Sequence, residues 1–462
     1  MNVSFFSDLL TTISERGRGL IGLGRNGDGG PANVADLVRL CGDLMSRRGE
    51  ASGVALARII LDRYGSLAQK DRFSFLRQVA DRFGPDETAI AQAIEAYRTA
   101  PSRAAANALH AASEPKSQEL IRRLNLAGGG TLSLVRMRED LLDLGHELRT
   151  QDPDACDAID SLDADFTRLF SSWFNRGFLV LRRIDWTTPA HILEKIIRYE
   201  AVHEISDWDD LRRRIAPADR RCFAFFHPAL VDEPLIFVEV ALTTEIPSAI
   251  APILTKEREP LPLRAATTAT FYSISNCQRG LAGVSFGNFL IKQVVEDLCR
   301  ELPNLKTFVT LSPAPGFAAW LEREMGADGS GALPAEDRER LRLAEAPGWP
   351  ADEAAAEAAR RPLLSAAAYY FLRARTPAGR PLDPVARFHL GNGARLERLN
   401  FLGDVSAKGL KQSKGLMVNY LYDLDTIEKH HEAYANQGVV TASSAVRRLL
   451  RSDLPAPTSA FE

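Results

Sequence analysis

The stretch that decides the fold, residues 271–320, reads FYSISNCQRGLAGVSFGNFLIKQVVEDLCRELPNLKTFVTLSPAPGFAAW. It begins inside a run of β-branched and aromatic residues, 267–275, which is typical of a strand. After a loop with three glycines, apolar residues recur at helical spacing, and residues 307–312 then form a second short strand. Strand, loop, helix and strand make one β-α-β unit, and such units bind ligands at the carboxyl ends of their strands.

The loop between the first strand and the helix is the first candidate for a ligand contact. Gly280, Gly283 and Gly287 have no Cβ, so the backbone can approach a ligand closely there. The helix start behind them offers unpaired N–H groups to a pyrophosphate. Glycine-rich turns from strand to helix are also common as plain connections, so the pattern alone leaves both interpretations open.

Several strings in and around this stretch carry a family resemblance. They are, in chain order, FLVLRRIDW, AVHEISDWDDLRRRI, FYSIS, QRGLAGVSFGNFLIKQVV, LSPAPGFAAWL, FHLGNGARLERLNFLGDVS and GLMVNYLY. Together they resemble the malonyl-CoA decarboxylase family. The resemblance implies an α+β protein with an all-helical N-terminal bundle, residues 1–174, that serves oligomerisation. It also implies a mixed-sheet catalytic domain of the GNAT acetyltransferase fold, residues 175–462.

The periodicity of the chain indicates a similar organisation. The pattern is helical from about residue 33 to 174 and predicts seven or eight helices. Short apolar runs at 222–226, 234–242 and 267–275 then predict three antiparallel strands ahead of the β-α-β unit. Residues 326–361 are rich in Ala, Glu, Arg, Gly and Pro, which predicts a surface insertion with one helix.

The last part of the chain contains a turn signal. Residues 385–390 and 394–401 flank Gly391-Asn392-Gly393, a sequence that predicts a β-hairpin. Between the insertion and this turn, residues 366–373 fit a helix or a strand, and periodicity does not decide between them.

Composition limits the classes of function. The 57 basic and 60 acidic residues of the 462-residue chain give a net charge of −3, which argues against a general nucleic-acid binder. No apolar run reaches membrane-spanning length, so we expect no membrane association. The five cysteines are scattered and odd in number, as expected for reduced thiols in a cytoplasmic protein. The histidines show no metal-ligand spacing, and we expect no metal site.

Two residues are candidates for catalysis. Ser312 ends the second strand of the β-α-β unit, a position that favours function, although serine before proline is also a common turn residue. His389 lies in a short apolar run, where the pattern alone favours a hydrogen-bonded core histidine. The resemblance implies that Ser312 is a catalytic serine and that His389 is the catalytic proton donor.

Further residues are candidates for binding the substrate. Ser273 and Ser275 share one face of the first strand, and that face is equally well explained as an ordinary polar face. Tyr422 resembles a family position that reaches the active site, although tyrosine in a strand usually packs. We expect the loop to contact the CoA pyrophosphate through Ala282, Gly283, Val284, Ser285, Phe286, Gly287 and Asn288. At Ser285 the chain departs from the resemblance, which implies an acidic residue there.

The implied chemistry suits these residue types. Decarboxylation of a malonyl thioester moves an electron pair into the thioester carbonyl, so no cofactor is expected and CoA enters as part of the substrate. A donor to the resulting enolate oxygen is worth ~3 kcal/mol, and histidine is the natural acid near neutral pH. We expect Ser312 to hold the malonyl carboxylate or to accept a proton, and His389 to protonate the nascent acetyl-CoA.

Two other functions fit the same fold. An acyl-CoA-dependent N-acetyltransferase would need a groove for the amine and a base, and nothing in the sequence marks either. A non-catalytic CoA-binding regulatory protein would need neither Ser312 nor His389, and the departure at Ser285 favours it slightly. The resemblance favours the decarboxylase, and it also implies a homo-oligomer formed through the helical domain.

Overall fold

The computed structural model describes residues 33–46, 50–284, 290–327 and 330–451. The chain forms two compact units. The first, called the helical unit, comprises Met1–Leu179 with His227–Glu233 and Gln278–Phe286, and the second, called the sheet unit, comprises Val180–Phe226, Pro234–Cys277 and Gly287–Glu462.

In its described residues the helical unit contains eight α-helices. They are α1 (Val34–Met45), α2 (Glu50–Ser66), α3 (Gln69–Phe83), α4 (Glu87–Thr99), α5 (Arg103–Ser113), α6 (Lys116–Leu124), α7 (Gly130–Gln151) and α8 (Cys156–Trp173). The predicted all-helical domain is confirmed. Its core contains fully buried side chains from α3, α7 and α8, such as Phe75, Leu144 and Phe170. In contrast, α4 and α5 bury none of their residues.

Residues 278–284 belong to the helical unit because α7 holds them in place. The buried Arg138 guanidinium on α7 donates to the carbonyls of Gly280 at 2.8 Å and Ala282 at 2.7 Å. A Cβ at Gly280 would lie 2.0 Å from the carbonyl oxygen of Val135. Glycine is therefore required at position 280 for close packing on α7, and not for the approach of a ligand as we expected. Gly283 has a positive φ of 78°.

Eight strands of the described chain form one mixed sheet, and all of them belong to the sheet unit. They are β1 (Val180–Ile184), β2 (Arg220–Phe226), β3 (Pro234–Thr243), β4 (Thr268–Asn276), β5 (Thr307–Thr310), β6 (Ser312–Pro313), β7 (Arg395–Asn400) and β8 (Met417–Leu421). The sheet order is β1-β2-β3-β4-β5-β8-β6, and β7 also pairs with β8. Strands β1 to β4 are antiparallel neighbours, whereas β4 and β5 are parallel. This order confirms the predicted GNAT-like core.

In its described residues the sheet unit contains eleven α-helices. They are α9 (Ala190–Tyr199), α10 (Trp208–Ile215), α11 (Ala251–Leu254), α12 (Leu290–Glu301), α13 (Phe317–Gly326), α14 (Ala335–Arg342), α15 (Glu353–Leu372), α16 (Pro384–Gly391), α17 (Ala407–Ser413), α18 (Ile427–Gln437) and α19 (Ser444–Arg447). The amphipathic helix α12 connects β4 to β5, as its apolar spacing predicts. Cys222, Ala224 and Phe237 of the sheet pack in one apolar cluster with residues of α9 and α10.

The sheet opens at one position that matters for the site. The parallel pairing of β4 and β5 extends only to Phe271 and Thr310. Beyond it, Ser312 and Pro313 pair with β8 instead. A bulge at Tyr272 of β4 adds to the irregularity, since Glu239 faces Ser273 while Val240 faces Phe271. Bulges of this kind re-aim side chains and are frequent beside active sites.

Two expectations from the sequence were wrong, and the structure decides a third point that the sequence left open. Residues 326–361 contain α14 and the first part of α15, and they bury Leu341 and Trp349, so they are not a surface insertion with one helix. Residues 366–373 are helical almost throughout, because α15 extends to Leu372. Residues 385–390 are the helix α16, so the Gly-Asn-Gly sequence does not join two strands of a hairpin.

Candidate active site

A cavity of about 250 Å³ lies where β4 and β6 separate. Its wall is mostly apolar, and the side chains that make it so are Val202, Phe271, Ile274, Pro313, Pro384, Val385 and Phe388. Asn276, Ser312 and His389 are polar residues on the same wall. The cavity is thus a small apolar space with a few polar groups, as expected of a small-molecule site.

Helix α16 carries His389 into this wall. The Asp383 carboxylate accepts from the Ala386 amide at 2.8 Å, and Pro384 occupies the first helical turn, so the helix begins with two strong start signals. The Tyr370 hydroxyl donates to the same carboxylate at 3.4 Å. Burial raises the pKa of Asp383 to about 6. His389 therefore lies on a short helix whose start is fixed by buried contacts.

Ser312 and His389, 77 residues apart in the chain, meet at the cavity. Ser312 Oγ lies 3.2 Å from His389 Nε2 and donates to Thr310 Oγ1 at 3.0 Å. On the other side of the ring, His389 Nδ1 lies 2.7 Å from the Tyr422 hydroxyl. The four side chains form one continuous hydrogen-bonded chain: Tyr422, His389, Ser312 and Thr310.

The surroundings keep the His389 ring neutral and fixed in orientation. The ring stacks on Tyr420 with centroids 4.6 Å apart, and only 2% of the residue is exposed. Burial lowers the pKa of His389 to about 3. Burial also raises the pKa of Tyr422 well above its ordinary value, so Tyr422 keeps its proton at neutral pH.

Ser273 on β4, which we expected to contact the substrate, has a different environment. Ser273 faces away from the cavity-lining Ile274, and its hydroxyl donates to both oxygens of the Glu200 carboxylate at 2.8 Å. Ser275 donates to Glu200 as well, at 3.2 Å. The amides of Val202 and His203 also donate to this carboxylate. Ser273 therefore fixes a buried carboxylate, and it is not among the residues that line the cavity.

Only part of the predicted loop can be described. Ala282, Gly283 and Val284 belong to the segment that Arg138 holds. Ser285, Phe286, Gly287 and Asn288 lie outside the described residues. In the described part of the chain, Ser312 and His389 have hydroxyl partners and no carboxylate partner.

Neither a metal cluster nor a membrane helix is present in the described residues. No three acidic, histidine or cysteine side chains come together there in a way that could hold a metal ion. Of the helices in the described ranges, none is long and apolar enough to cross a membrane. No disulfide joins the five cysteines, all of which lie in the described residues.

Comparison with known proteins decides the family. Residues 177–459 match the model of the malonyl-CoA decarboxylase C-terminal domain, and residues 83–174 match that of the N-terminal domain. The chain belongs to the malonyl-CoA decarboxylase family. The predicted resemblance is thereby confirmed, for both parts of the chain.

Individual relatives match most of this chain, and solved structures of relatives share its fold. The rat protein named "Malonyl-CoA decarboxylase, mitochondrial" is 35% identical over 84% of this chain and 83% of its own length. The protein of the same name from the goose Anser anser anser is 37% identical over 72% of this chain and 69% of its own. Crystal structures of malonyl-CoA decarboxylase from Rhodopseudomonas palustris and Agrobacterium vitis are 58% and 59% identical. Both cover 90% of this chain and 100% of their own, with TM-scores of 0.86 and 0.83.

Several members of the site were not predicted from the sequence, among them Thr310, Asp383, Asn276 and Tyr420. Thr310 looks like an ordinary residue of a buried strand, and only its contact with Ser312 reveals it. Asp383 could have been found, because Asp-Pro is a common start of a helix and the sequence contains it six residues before His389.

Proposed function

We propose that this protein decarboxylates malonyl-CoA to acetyl-CoA and carbon dioxide. The observation that carries the proposal is the hydrogen-bonded pair Ser312–His389 on the wall of an apolar cavity, in a chain of this family. Serine and histidine are the residue types that the chemistry needs, and the cavity of about 250 Å³ is large enough for a small acyl group.

The apolar wall favours loss of the carboxylate. A carboxylate that enters the space beside Phe271, Ile274 and Val385 exchanges water for apolar contacts, which disfavours its charged form. Breaking its bond to the methylene carbon releases neutral carbon dioxide and leaves the electron pair in the thioester enolate. The Asn276 carboxamide on the same wall is our candidate donor to the enolate oxygen.

The enolate carbon then takes a proton, and His389 is placed to give it. The Nε2 atom is the ring nitrogen on the side of Ser312, whereas Tyr422 occupies Nδ1. The new C–H bond forms as the Nε2–H bond of the neutral ring breaks, which moves the negative charge from the enolate to the ring as an imidazolate, and a proton from solvent then restores the neutral ring. Ser312, in contact with the same nitrogen, either holds the substrate carboxylate or accepts a proton.

For the nucleotide end of the substrate we propose the loop from Ala282 to Asn288. The loop precedes α12 in the chain, and the amino end of a helix favours a pyrophosphate. The positive φ of Gly283 belongs to a turn in which the Val284 amide donates to the Leu281 carbonyl at 3.0 Å. The expected effect of Gly283→Ala is weaker binding of CoA, measured by calorimetry with the full chain. Unchanged affinity would remove this residue from the proposal.

One assay tests the proposed activity. The purified protein is incubated with malonyl-CoA alone, and acetyl-CoA is followed by mass spectrometry. We expect acetyl-CoA to form without any acceptor amine and without added metal or cofactor, also after dialysis against a chelator. Turnover that needs an amine would favour an N-acetyltransferase, and tight CoA binding without turnover would favour a regulatory protein.

We also propose a homo-oligomer formed through the helical unit. Helices α4 and α5 bury none of their residues, and Ile94 and Tyr97 on α4 are 43% and 40% exposed. Exposed apolar side chains on such helices favour an interface. Ile94→Glu should lower the mass measured by light scattering, and an unchanged mass would exclude α4 from the interface.

For the location we propose the cytoplasm. Bacterial malonyl-CoA decarboxylases are 58–59% identical to this chain, against 35–37% for the rat and goose proteins named as mitochondrial. Fractionation of the source cells should place the protein with the soluble cytoplasmic fraction. Recovery with membranes would contradict this.

A further inference from the structure

Thr310, which the sequence does not mark, lies at the end of the hydrogen-bonded chain behind Ser312. Its Oγ1 accepts from Ser312 Oγ at 3.0 Å and from the Tyr420 amide at 3.1 Å. Thr310 is fully buried, and its carbonyl accepts from the Asn419 carboxamide at 2.8 Å. The threonine is therefore held firmly by β8 on both its side chain and its backbone.

The direction of one hydrogen bond sets the direction of the others. A hydroxyl has one hydrogen to donate and two lone pairs that accept. Because Ser312 gives its hydrogen to Thr310, Ser312 can only accept from His389. The ring must then carry its hydrogen on Nε2, which leaves Nδ1 bare to accept from the Tyr422 hydroxyl.

We infer that Thr310 is a positioning residue that fixes His389 as the Nε2–H tautomer, so that the ring proton lies on the cavity side of the ring, in contact with Ser312 Oγ. Thr310 touches no reacting atom in this arrangement and acts through Ser312. The inference also decides between the two roles proposed for Ser312: the serine accepts the imidazole hydrogen and does not donate to the substrate carboxylate. The kinetic part of this inference rests on the proposed decarboxylation, whereas the tautomer itself does not.

Without the Thr310 hydroxyl, the Ser312 hydrogen is free to turn toward His389 Nε2. The ring then carries its hydrogen on Nδ1, donates to Tyr422, and presents a bare nitrogen to the cavity. A ring in that state cannot deliver a proton to the enolate carbon. Removal of one hydroxyl thus lowers the fraction of molecules that are ready for catalysis.

The kinetic test uses two variants and a matched control. Thr310→Val keeps the shape of the side chain and removes the hydroxyl, and we expect kcat to fall about tenfold with KM for malonyl-CoA unchanged. Thr310→Ser restores the hydroxyl and should restore most of kcat. Thr270→Val is the control, since Thr270 is also fully buried in this sheet and its hydroxyl contacts Thr243 instead.

The decisive readout is the tautomer of His389, measured by 15N NMR on the histidine-labelled full chain at neutral pH. His389→Asn identifies the resonances among the eight histidines. We expect Nε2–H in the parent, in Thr310→Ser and in Thr270→Val, and a substantial Nδ1–H population in Thr310→Val. If Thr310→Val does not fold, Thr310→Ala replaces it.

The results that would overturn this inference differ from the result that would overturn the proposed function. The inference is overturned if Thr310→Val keeps the parent kcat, if its His389 remains Nε2–H, or if Thr310→Ser is as impaired as Thr310→Val. If the parent forms no acetyl-CoA, the proposed function fails, and the tautomer shift alone still decides the role of Thr310.

Discussion

Two buried serines close to the cavity have opposite environments. Ser312 meets a neutral imidazole at 3.2 Å on the cavity wall. Ser273, two residues beyond the end of the parallel pairing, donates at 2.8 Å to the Glu200 carboxylate on the other face of β4. A neutral imidazole can hold and release a proton, whereas a carboxylate that accepts from two hydroxyls and two amides is a fixed structural support. The partner of each serine, and not its place on a strand, distinguishes the two roles.

Replacing His389 should give the largest effect. His389→Asn removes the proposed proton donor, and we expect turnover of malonyl-CoA to fall roughly 100- to 10,000-fold with CoA binding retained. His203→Asn is the matched control. His203 is half-buried, burial lowers its pKa to about 4, and its backbone amide donates to Glu200. A loss of turnover of equal size in both variants would contradict the role of His389 as the proton donor.

The two serines themselves should separate activity from stability. Ser312→Ala should lower kcat roughly 10- to 100-fold, since the proton on His389 loses its acceptor. Ser273→Ala should change kcat by less than about twofold, but should lower the free energy of unfolding by about 1–3 kcal/mol, because the buried Glu200 loses a donor. Steady-state kinetics and urea unfolding measure both quantities. A large loss of kcat in Ser273→Ala would place this serine in the chemistry after all.

Stability should depend on pH through two histidines whose pKa values are lowered in the folded chain. The folded-state pKa values are about 3 for His389 and about 4 for His203, below the unfolded value of about 6.5. Below pH 6.5 the unfolded chain therefore binds protons that the folded chain does not, so stability falls as the pH falls toward these values. Each residue contributes about 1.4 kcal/mol per pH unit. Urea unfolding at pH 7 and pH 5 checks this, and His389→Asn should flatten the slope. Equal stability at the two pH values would contradict it.

The smallest effect that we expect is that of pH on catalytic activity. Because His389 stays neutral down to about pH 3, we expect no loss of kcat/KM with an apparent pKa near 6.5. The value measured at pH 5.5 should lie within about twofold of that at pH 7.5 under conditions where the protein is folded. A sigmoidal fall centred near pH 6.5 would show that His389 ionises in the free protein.

The sequence predicts those helices and strands that a local pattern of residues determines. The apolar and β-branched composition of β2, β3 and β4 placed these strands within one or two residues of their bounds, and the helical spacing of apolar residues predicted α12 between β4 and β5. The family resemblance added Ser312 and His389. Both the local pattern and the family resemblance are read from short stretches of sequence.

The prediction failed where one local signal has two meanings. Gly391-Asn392-Gly393 is typical of a hairpin, yet here Gly393, with a φ of 82°, follows the end of α16. The Asp383-Pro384 start signal decides the matter, because it begins a helix six residues before His389.

Contacts between distant residues lie beyond such patterns. Nothing in the local sequence of Thr310 indicates that it accepts from Ser312, and nothing near Ser273 indicates that its partner is Glu200, 73 residues away. Such pairs depend on how the strands separate and on which face of β4 each side chain occupies.

The central claim is that the acyl end of the thioester occupies the cavity beside Ser312 and His389. A crystal structure of the full chain with a CoA thioester analogue, whose carboxylate is replaced by a sulfonate that cannot be lost, tests it directly. The account predicts the sulfonate among Phe271, Ile274 and Val385, with the adjacent methylene carbon about 3–3.5 Å from His389 Nε2. An analogue whose acyl end lies outside this cavity, or on the Nδ1 side of the ring, would contradict it.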